Sequence, residues 1–396
     1  MISKKMEPLV SNNSVIRAMF EEGKIMAAKH GAENVFDFSI GNPNVPAPDE
    51  VKEAILDILE NEDPVKVHGY MSNAGFPETR AAIAGNLNRR FGTNFSENNI
   101  IMTVGAGSAL NVLLKTMLNP GDEVVTFAPY FVEYGNYVRN YDGKLVVVPA
   151  NPEAGFMPDV KGLDAAITLA TKAVIINNPN NPTGVIYPEA VIKEIAAVLE
   201  KKQKEYGTVI YLVSDEPYRE LAYGGAEVPY LTKFYDNTVV GYSYSKSLSL
   251  PGERIGYIVI PDESHEAQEF TDAATIANRV GGFVNAPSLI QLVIARCVDA
   301  KCNVEYYERN GKTLYEGLTK AGFQCVKPEG AFYLWMKSPV EDEKEFVAAA
   351  KKYNLLLVPG SSFAGPGYVR ISYCVSYDQI VRSLPKFEEL AKEYKL

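Results

Sequence analysis

Short apolar runs alternate with helical stretches through the middle of this chain, and no other feature restricts its fold as strongly. The runs lie at 100–104, 123–127, 174–176 and 209–213, and each is too short and too continuously apolar for an exposed helix. Between them, 77–91, 108–118 and 188–206 carry helical periodicity, the last opened by Pro188 in its first turn. Alternation of this kind predicts a largely parallel sheet covered by helices, with strands buried on both faces.

After about Pro287 the pattern changes. A long helical run is predicted through Ala321, followed by strands or helices at 331–336, 343–353, 355–358, 368–373 and 378–394. This reads as a smaller α+β lobe, joined by the first 48 residues with their helix near 15–29 and Pro-rich stretch at 42–48. The expected division is a large domain over 49–290 and a small one from 1–48 and 291–396. A chain of 396 residues, 46% hydrophobic and 22% charged, is too long for one ordinary core.

Composition removes several function classes. No window approaches the roughly 20 uncharged apolar residues that cross a bilayer, and the N-terminal residues, with Lys4, Lys5 and Glu7, show no apolar signal core. The expectation is a cytoplasmic protein with no membrane partner. A formal charge of −10 and a pI near 5.1 argue against nucleic acid, whose recognition needs clustered cations. Cys297, Cys302, Cys325 and Cys374 have no CxxC spacing, and three histidines in the whole chain form no cluster with them. Neither a disulfide framework nor a metal site is expected.

The most informative segment is SYSKSLSLPGERIGY, 243–257, which follows an apolar strand at 238–242. It sets Lys246 among hydroxyls and glycines: Ser243 and Ser245 are donors, Arg254 is a permanent cation suited to phosphate, and Gly252 and Gly256 admit close backbone. This segment resembles the cofactor-lysine signature of the class I/II aminotransferases, the fold type I enzymes that depend on pyridoxal phosphate (PLP). Similarity runs from about Phe36 to Tyr373, with several motifs in the family's order, and looks nearest to bacterial aspartate aminotransferases. The resemblance implies a large domain with a mainly parallel seven-stranded sheet flanked by helices, a smaller α+β domain, Lys246 as the Schiff-base lysine, and Ser243 and Arg254 as phosphate ligands.

The other motifs have chemistry of their own. In VSDEPY, 213–218, Asp215 ends an apolar strand at the sheet edge where ligands collect; taken alone, the motif reads more readily as an aspartate capping the next turn. A carboxylate beside a pyridine nitrogen keeps that nitrogen protonated, and the resemblance assigns Asp215 to that task and Tyr218 to the cofactor's 3-oxygen. NNPNNPTG, 177–184, is by itself a turn. The family pattern points within it to Asn181, shared between the 3-oxygen and the substrate carboxylate. TVGAGSAL, 103–110, is strand, glycine turn and helix start, where free amides and the helix dipole meet an anion. Leu110 stands where a dinucleotide fingerprint needs its third glycine, so the Ala106 and Gly107 amides are assigned to the PLP phosphate. Phe131, in PYFVEY, matches the family's stacking aromatic, and Tyr70, in HGYMSNAGFPETR, a tyrosine that reaches the phosphate of a neighbouring subunit, which implies a homodimer.

In YVRISY, alternation sets Tyr368, Arg370 and Ser372 on one strand face. The family's matching arginine grips the substrate α-carboxylate, a task for a planar fork, and Gly41 in the Ile40-Gly41 turn matches its second contact. For a dicarboxylic substrate a further cation is needed. Lys115, within an apolar helix stretch, and Arg279, in ANRVGGFVNAP, are the candidates. The expected reaction is ping-pong transfer of an amino group from an L-amino acid, aspartate first, to 2-oxoglutarate. Alanine or aromatic donors, a PLP-dependent C–S lyase, and an aminotransferase-like regulatory domain are the alternatives; the last needs a DNA-binding domain, and no room for one is expected at the N-terminus.

Overall fold

A computed structural model describes residues 1–11 and 15–396; within the expected leading segment, 12–14 lie outside the described residues. Seven strands build the main sheet: β1 (Ile100–Thr103), β2 (Glu123–Phe127), β3 (Lys144–Val148), β4 (Thr171–Asn177), β5 (Tyr211–Asp215), β6 (Thr238–Ser243) and β7 (Gly256–Val259). Their order is β1-β7-β6-β5-β4-β2-β3, and only β7 runs against its neighbours. Six strands therefore deliver their C-terminal ends to one edge. The reversed strand starts at that same edge, where Gly256 pairs with both Thr103 and Ser243. A Cβ on Gly256 would lie 2.2 Å from the Tyr242 carbonyl oxygen and 3.1 Å from Gly105 Cα, so only glycine lets these three segments converge.

Burial on both faces explains the apolar runs. Val124, Ile175 and Val213 point to the layer of helices Ala106–Met117 and Ala267–Val280, while their neighbours Val125, Val174 and Leu212 point to helices Val160–Ala166 and Glu189–Tyr206. Each such valine or leucine contributes about 1.5–3 kcal/mol by leaving water. At the β1 end of the sheet, Ile100, Met102 and Val240 pack under helices Asp49–Asn61, Pro77–Phe91 and Ser288–Cys297.

A second sheet of four antiparallel strands, β8 (Cys325–Val326), β9 (Tyr333–Lys337), β10 (Val358–Pro359) and β11 (Tyr368–Ser372), has the order β10-β11-β9-β8. Its core is shared with helices Val304–Lys320, Glu343–Ala350 and Tyr377–Glu393. Phe36–Asp37 pairs in parallel with Leu355–Leu356, which brings the N-terminal segment to this side. The long helical run expected over 288–321 is two helices instead. Asn303 caps the second by accepting from the Tyr306 amide at 3.0 Å, and a side-chain cap fixes a helix start that periodicity alone runs through. The strand expected at 355–358 is likewise divided between two sheets. Among the described residues no helix is long and apolar enough to cross a membrane.

Candidate active site

The strand ends open into a cavity of about 530 Å³ lined by residues from both sheets' surroundings, Gly41, Asp215, Lys246 and Arg370 among them. Asp215, last residue of β5, is 4% exposed. Its Oδ2 accepts a 2.5 Å hydrogen bond from the Tyr134 hydroxyl and a longer one, 3.4 Å, from Asn177 Nδ2, while Oδ1 has no partner. Burial pushes the carboxyl up to about 7, opposed by the Tyr134 bond. A buried carboxylate oxygen without a donor is a place prepared for a cation.

Lys246 stands in a one-turn helix, Tyr244–Ser247, directly after β6. Ser243 caps that turn, its Oγ accepting from the Ser245 amide at 3.1 Å and lying 2.7 Å from the Ser245 hydroxyl. The Lys246 ammonium donates to the Gly41 carbonyl at 2.8 Å and sits 5.3 Å from the Phe332 ring centre. Burial lowers it to about 8; Cys374 pulls the other way, and the positive Arg254 and Arg370 add to the lowering. An amine in this range is partly neutral at ordinary pH and can attack a carbonyl.

Helix Ala106–Met117 begins after Gly105, whose φ of +88° is left-handed, and no side chain caps its first turn. Its leading amides, Ala106 and Gly107, therefore face the cavity unspent. Arg254 itself adopts a left-handed backbone, φ +53°, and lays its guanidinium over Gly105, where a Cβ would be 3.0 Å from Nη2. Tyr137 completes this corner, its hydroxyl 3.1 Å from where a Gly107 Cβ would stand. Free amides, a guanidinium and the Ser243 hydroxyl make a site for a phosphate.

The opposite end is built for a carboxylate. Arg370 is fully enclosed between the rings of Tyr333 and Phe363, each 4.5 Å from its guanidinium carbon. Nη1 donates to Asn181 Oδ1 at 3.2 Å and Nη2 to the Ser39 carbonyl at 2.7 Å, leaving Nε without a partner. Asn181 is held by its own amide, which donates to Asn177 Oδ1 at 2.7 Å. The Tyr218 hydroxyl is 2.7 Å from that of Tyr333, and burial raises it well above its usual range. Phe131 lines the cavity with its ring edge-on to Tyr134 at 5.7 Å.

Lys246, Asp215, Tyr218, Asn181, Ser243, Arg254, Arg370, Gly41, Phe131, Ala106 and Gly107 thus meet in one cavity. Three expected residues do not. Lys115 lies in the last turn of Ala106–Met117, exposed, its ammonium 5.8 Å from the Tyr141 ring centre. Nine residues at 1.5 Å rise put it roughly 14 Å from the helix start that faces the cavity. Arg279 is exposed in the last turn of Ala267–Val280, and Tyr70 is 92% exposed and lines no part of the cavity. Tyr134, Tyr137, Asn177 and Tyr333 are the residues sequence reasoning missed. The site fits a flat ring bearing a cationic nitrogen, an acidic oxygen and a phosphate, which is the outline of PLP: an unpartnered carboxylate oxygen, paired donors and an anion cradle occupy corresponding corners.

Residues 33–384 match the family model for aminotransferase class I and II. A probable aspartate/prephenate aminotransferase of Thermus aquaticus is 34% identical over 353 residues, covering 88% of this chain and 89% of the relative. Among solved structures, an amino transferase of Eubacterium rectale superposes with a TM-score of 0.97 at 46% identity, covering 100% of both chains. The aspartate aminotransferase of Thermus thermophilus with maleate superposes with a TM-score of 0.86 at 30% identity, covering 98% of this chain and 99% of the other.

Proposed function

This chain belongs to the aminotransferase class I and II family, a PLP-dependent family, and on that premise we propose that it moves an amino group from L-aspartate to 2-oxoglutarate in two half-reactions. The observation that carries the reading is that Lys246 and Arg370 open into one cavity beside the unpartnered Asp215 oxygen. PLP, when bound, supplies an electron-accepting ring that stabilises negative charge at the substrate Cα. Lys246 would hold it covalently, Asp215 would hold its nitrogen, Asn181 and Tyr218 its 3-oxygen, and Ser243, Arg254 and the Ala106 and Gly107 amides its phosphate, with Phe131 available to the ring.

The remaining work falls to the chain's own groups. Arg370, with Asn181 and the Gly41 turn, orients the α-carboxylate so that Cα comes within reach of Lys246. The Lys246 amine would take the Cα proton, a role suited to an amine that burial has brought to about 8. Among the described residues, the cations lining the cavity are Lys246, Arg254 and Arg370, and each has a task. Aspartate's second carboxylate therefore takes its partner from a neighbouring copy in a cytoplasmic homodimer. Arg279 is the candidate for that contact and Tyr70 for the neighbour's phosphate, both being exposed on this chain.

Purified protein is supplied with PLP, 2-oxoglutarate and, in turn, aspartate, alanine or phenylalanine, and glutamate formation is followed. Aspartate is expected to give the highest kcat/KM by at least about 10-fold, the value of one well-placed charged contact. Equal or faster turnover of alanine or phenylalanine refutes the donor, and no glutamate from any of them refutes amino transfer by this chain.

A further inference from the structure

Tyr333 stands between the two functional ends of the cavity, and neither its place in β9 nor the roles assigned above account for its hydroxyl. The ring carries the Arg370 guanidinium at 4.5 Å, a packing contact that phenylalanine would make equally well. The hydroxyl is a separate investment. It lies 2.7 Å from Tyr218 Oη, in a pair where both residues are buried and the rings meet nearly at right angles, 78°. It also presses on the loop opposite, since a Cβ on Gly41 would lie 2.3 Å from it; Gly41 is the residue whose carbonyl holds Lys246.

Two hydroxyls in contact share one proton between them, so one of the pair donates and the other is free to donate elsewhere. We propose that Tyr333 is a positioning residue for Tyr218: its hydroxyl donates to Tyr218 Oη, directs the Tyr218 proton toward the cofactor's 3-oxygen and strengthens that second hydrogen bond. The proposal rests on the reading of Tyr218 as the 3-oxygen donor. Its physical basis is cooperativity, because an oxygen that accepts a hydrogen bond becomes a better donor, and the effect is larger where water is excluded. Burial keeps the Tyr333 proton in place, raising the phenol to about 12. The titratable and charged groups that face the pair are Arg370, Asp215, Cys374, Tyr134 and Tyr373, the last two being buried phenols that burial pushes far above their usual range. Arg370 is permanently charged, Asp215 pairs with the ring nitrogen once cofactor is bound, and burial pushes Cys374 up to about 12, so none of them changes state in the range the experiment uses.

The expected consequence is spectroscopic. A donor to the 3-oxygen stabilises its anion, which lets the nitrogen joining Lys246 to the cofactor release its proton at lower pH. Weakening that donor moves the titration of the bound cofactor's visible band upward. A cooperative gain of about 10–30% on a charge-assisted hydrogen bond corresponds to roughly 0.1–0.7 pH units.

Wild type, Tyr333→Phe, Tyr218→Phe and the double variant are loaded with PLP, and the visible band is titrated from pH 5 to 10. Tyr333→Phe is expected to raise the midpoint, to leave the KM for the amino acid within about 2-fold because the ring under Arg370 remains, and to have no effect in the Tyr218→Phe background. A fluorinated tyrosine placed at 333 alone, being a stronger donor, is expected to lower the midpoint; this variant keeps the test open if the phenylalanine variant folds poorly. An unmoved midpoint in Tyr333→Phe, or the same shift with and without the Tyr218 hydroxyl, overturns the proposal. So does a rise in KM with no change in midpoint, which would place the effect at Arg370. If wild type itself shows no visible band, it is the cofactor assignment that has failed and not the role of Tyr333.

Discussion

Replacing Asp215 by asparagine separates what the carboxylate costs the fold from what it does for the cofactor. The buried carboxyl titrates at about 7 against an ordinary value of 3.8. A raised folded-state value means that the native protein binds this proton more tightly than the unfolded chain does. Between those two values the cofactor-free protein loses stability as pH rises, and the loss is complete above about 7. At about 1.36 kcal/mol per pH unit the interval amounts to roughly 4 kcal/mol. Asparagine keeps the shape and the acceptor for the Tyr134 hydroxyl but has no charge to bury, so the variant escapes the loss. With an unfolding entropy of about 2.1 cal/mol/K per residue, Tm of the cofactor-stripped variant should exceed that of wild type by about 5 °C at pH 8 and by only about 2 °C at pH 5. Adding PLP should reverse the order, because the carboxylate then faces the cationic ring nitrogen, and turnover of the variant should fall by at least about 10²-fold. Calorimetry of both stripped proteins at the two pH values is the assay. A Tm difference that does not grow with pH, or a stripped variant less stable than wild type at pH 8, would falsify the assignment of Asp215 as an unpaired buried charge.

Two further predictions concern the other ends of the cavity. Capture of PLP by the stripped protein, followed by growth of the visible band, should accelerate as pH rises through about 8 and then level off, because burial has lowered Lys246 to that range; a rate still climbing at pH 10, as for a solvated lysine, contradicts it, and Lys246→Ala should give no band. Arg370→Gln should retain the cofactor band while kcat/KM for the amino acid falls by about 30–1,000-fold, the loss of a charge-assisted fork worth roughly 2–4 kcal/mol. An unchanged kcat/KM would move carboxylate recognition elsewhere.

The main sheet is legible in the sequence because parallel strands buried on both faces must be short and apolar, and because their C-terminal ends deliver polar residues to one edge. Asn177, Asp215 and Ser243 all arrive that way. The strand expected at 209–213 in fact runs to Asp215, since the ladder with Asn177 continues through the two polar residues. What the sequence hides are partnerships that only topology creates. Tyr134 meets Asp215 across 81 residues and Tyr218 meets Tyr333 across 115, and none of the four stands in a pattern that names its partner. Lys115 shows the opposite failure. Its apolar neighbours Leu113 and Leu114 are fully buried, but the helical turn between them carries the lysine to the outside. Alternation alone does not say whether the face carrying Arg370 is buried; its burial depends on the Tyr333 ring from β9, 37 residues away, and on the Phe363 ring from the turn just before its own strand.

That enclosure has a thermodynamic consequence. An arginine side chain carries about 2 kcal/mol of rotamer entropy, and the two rings 4.5 Å to either side of Arg370 extract it during folding, long before any ligand arrives. The guanidinium then has no freedom left to surrender when a carboxylate docks, and the only ordering that binding requires is the substrate's own. Rigidity at this position is charged to the stability of the protein and withheld from its KM.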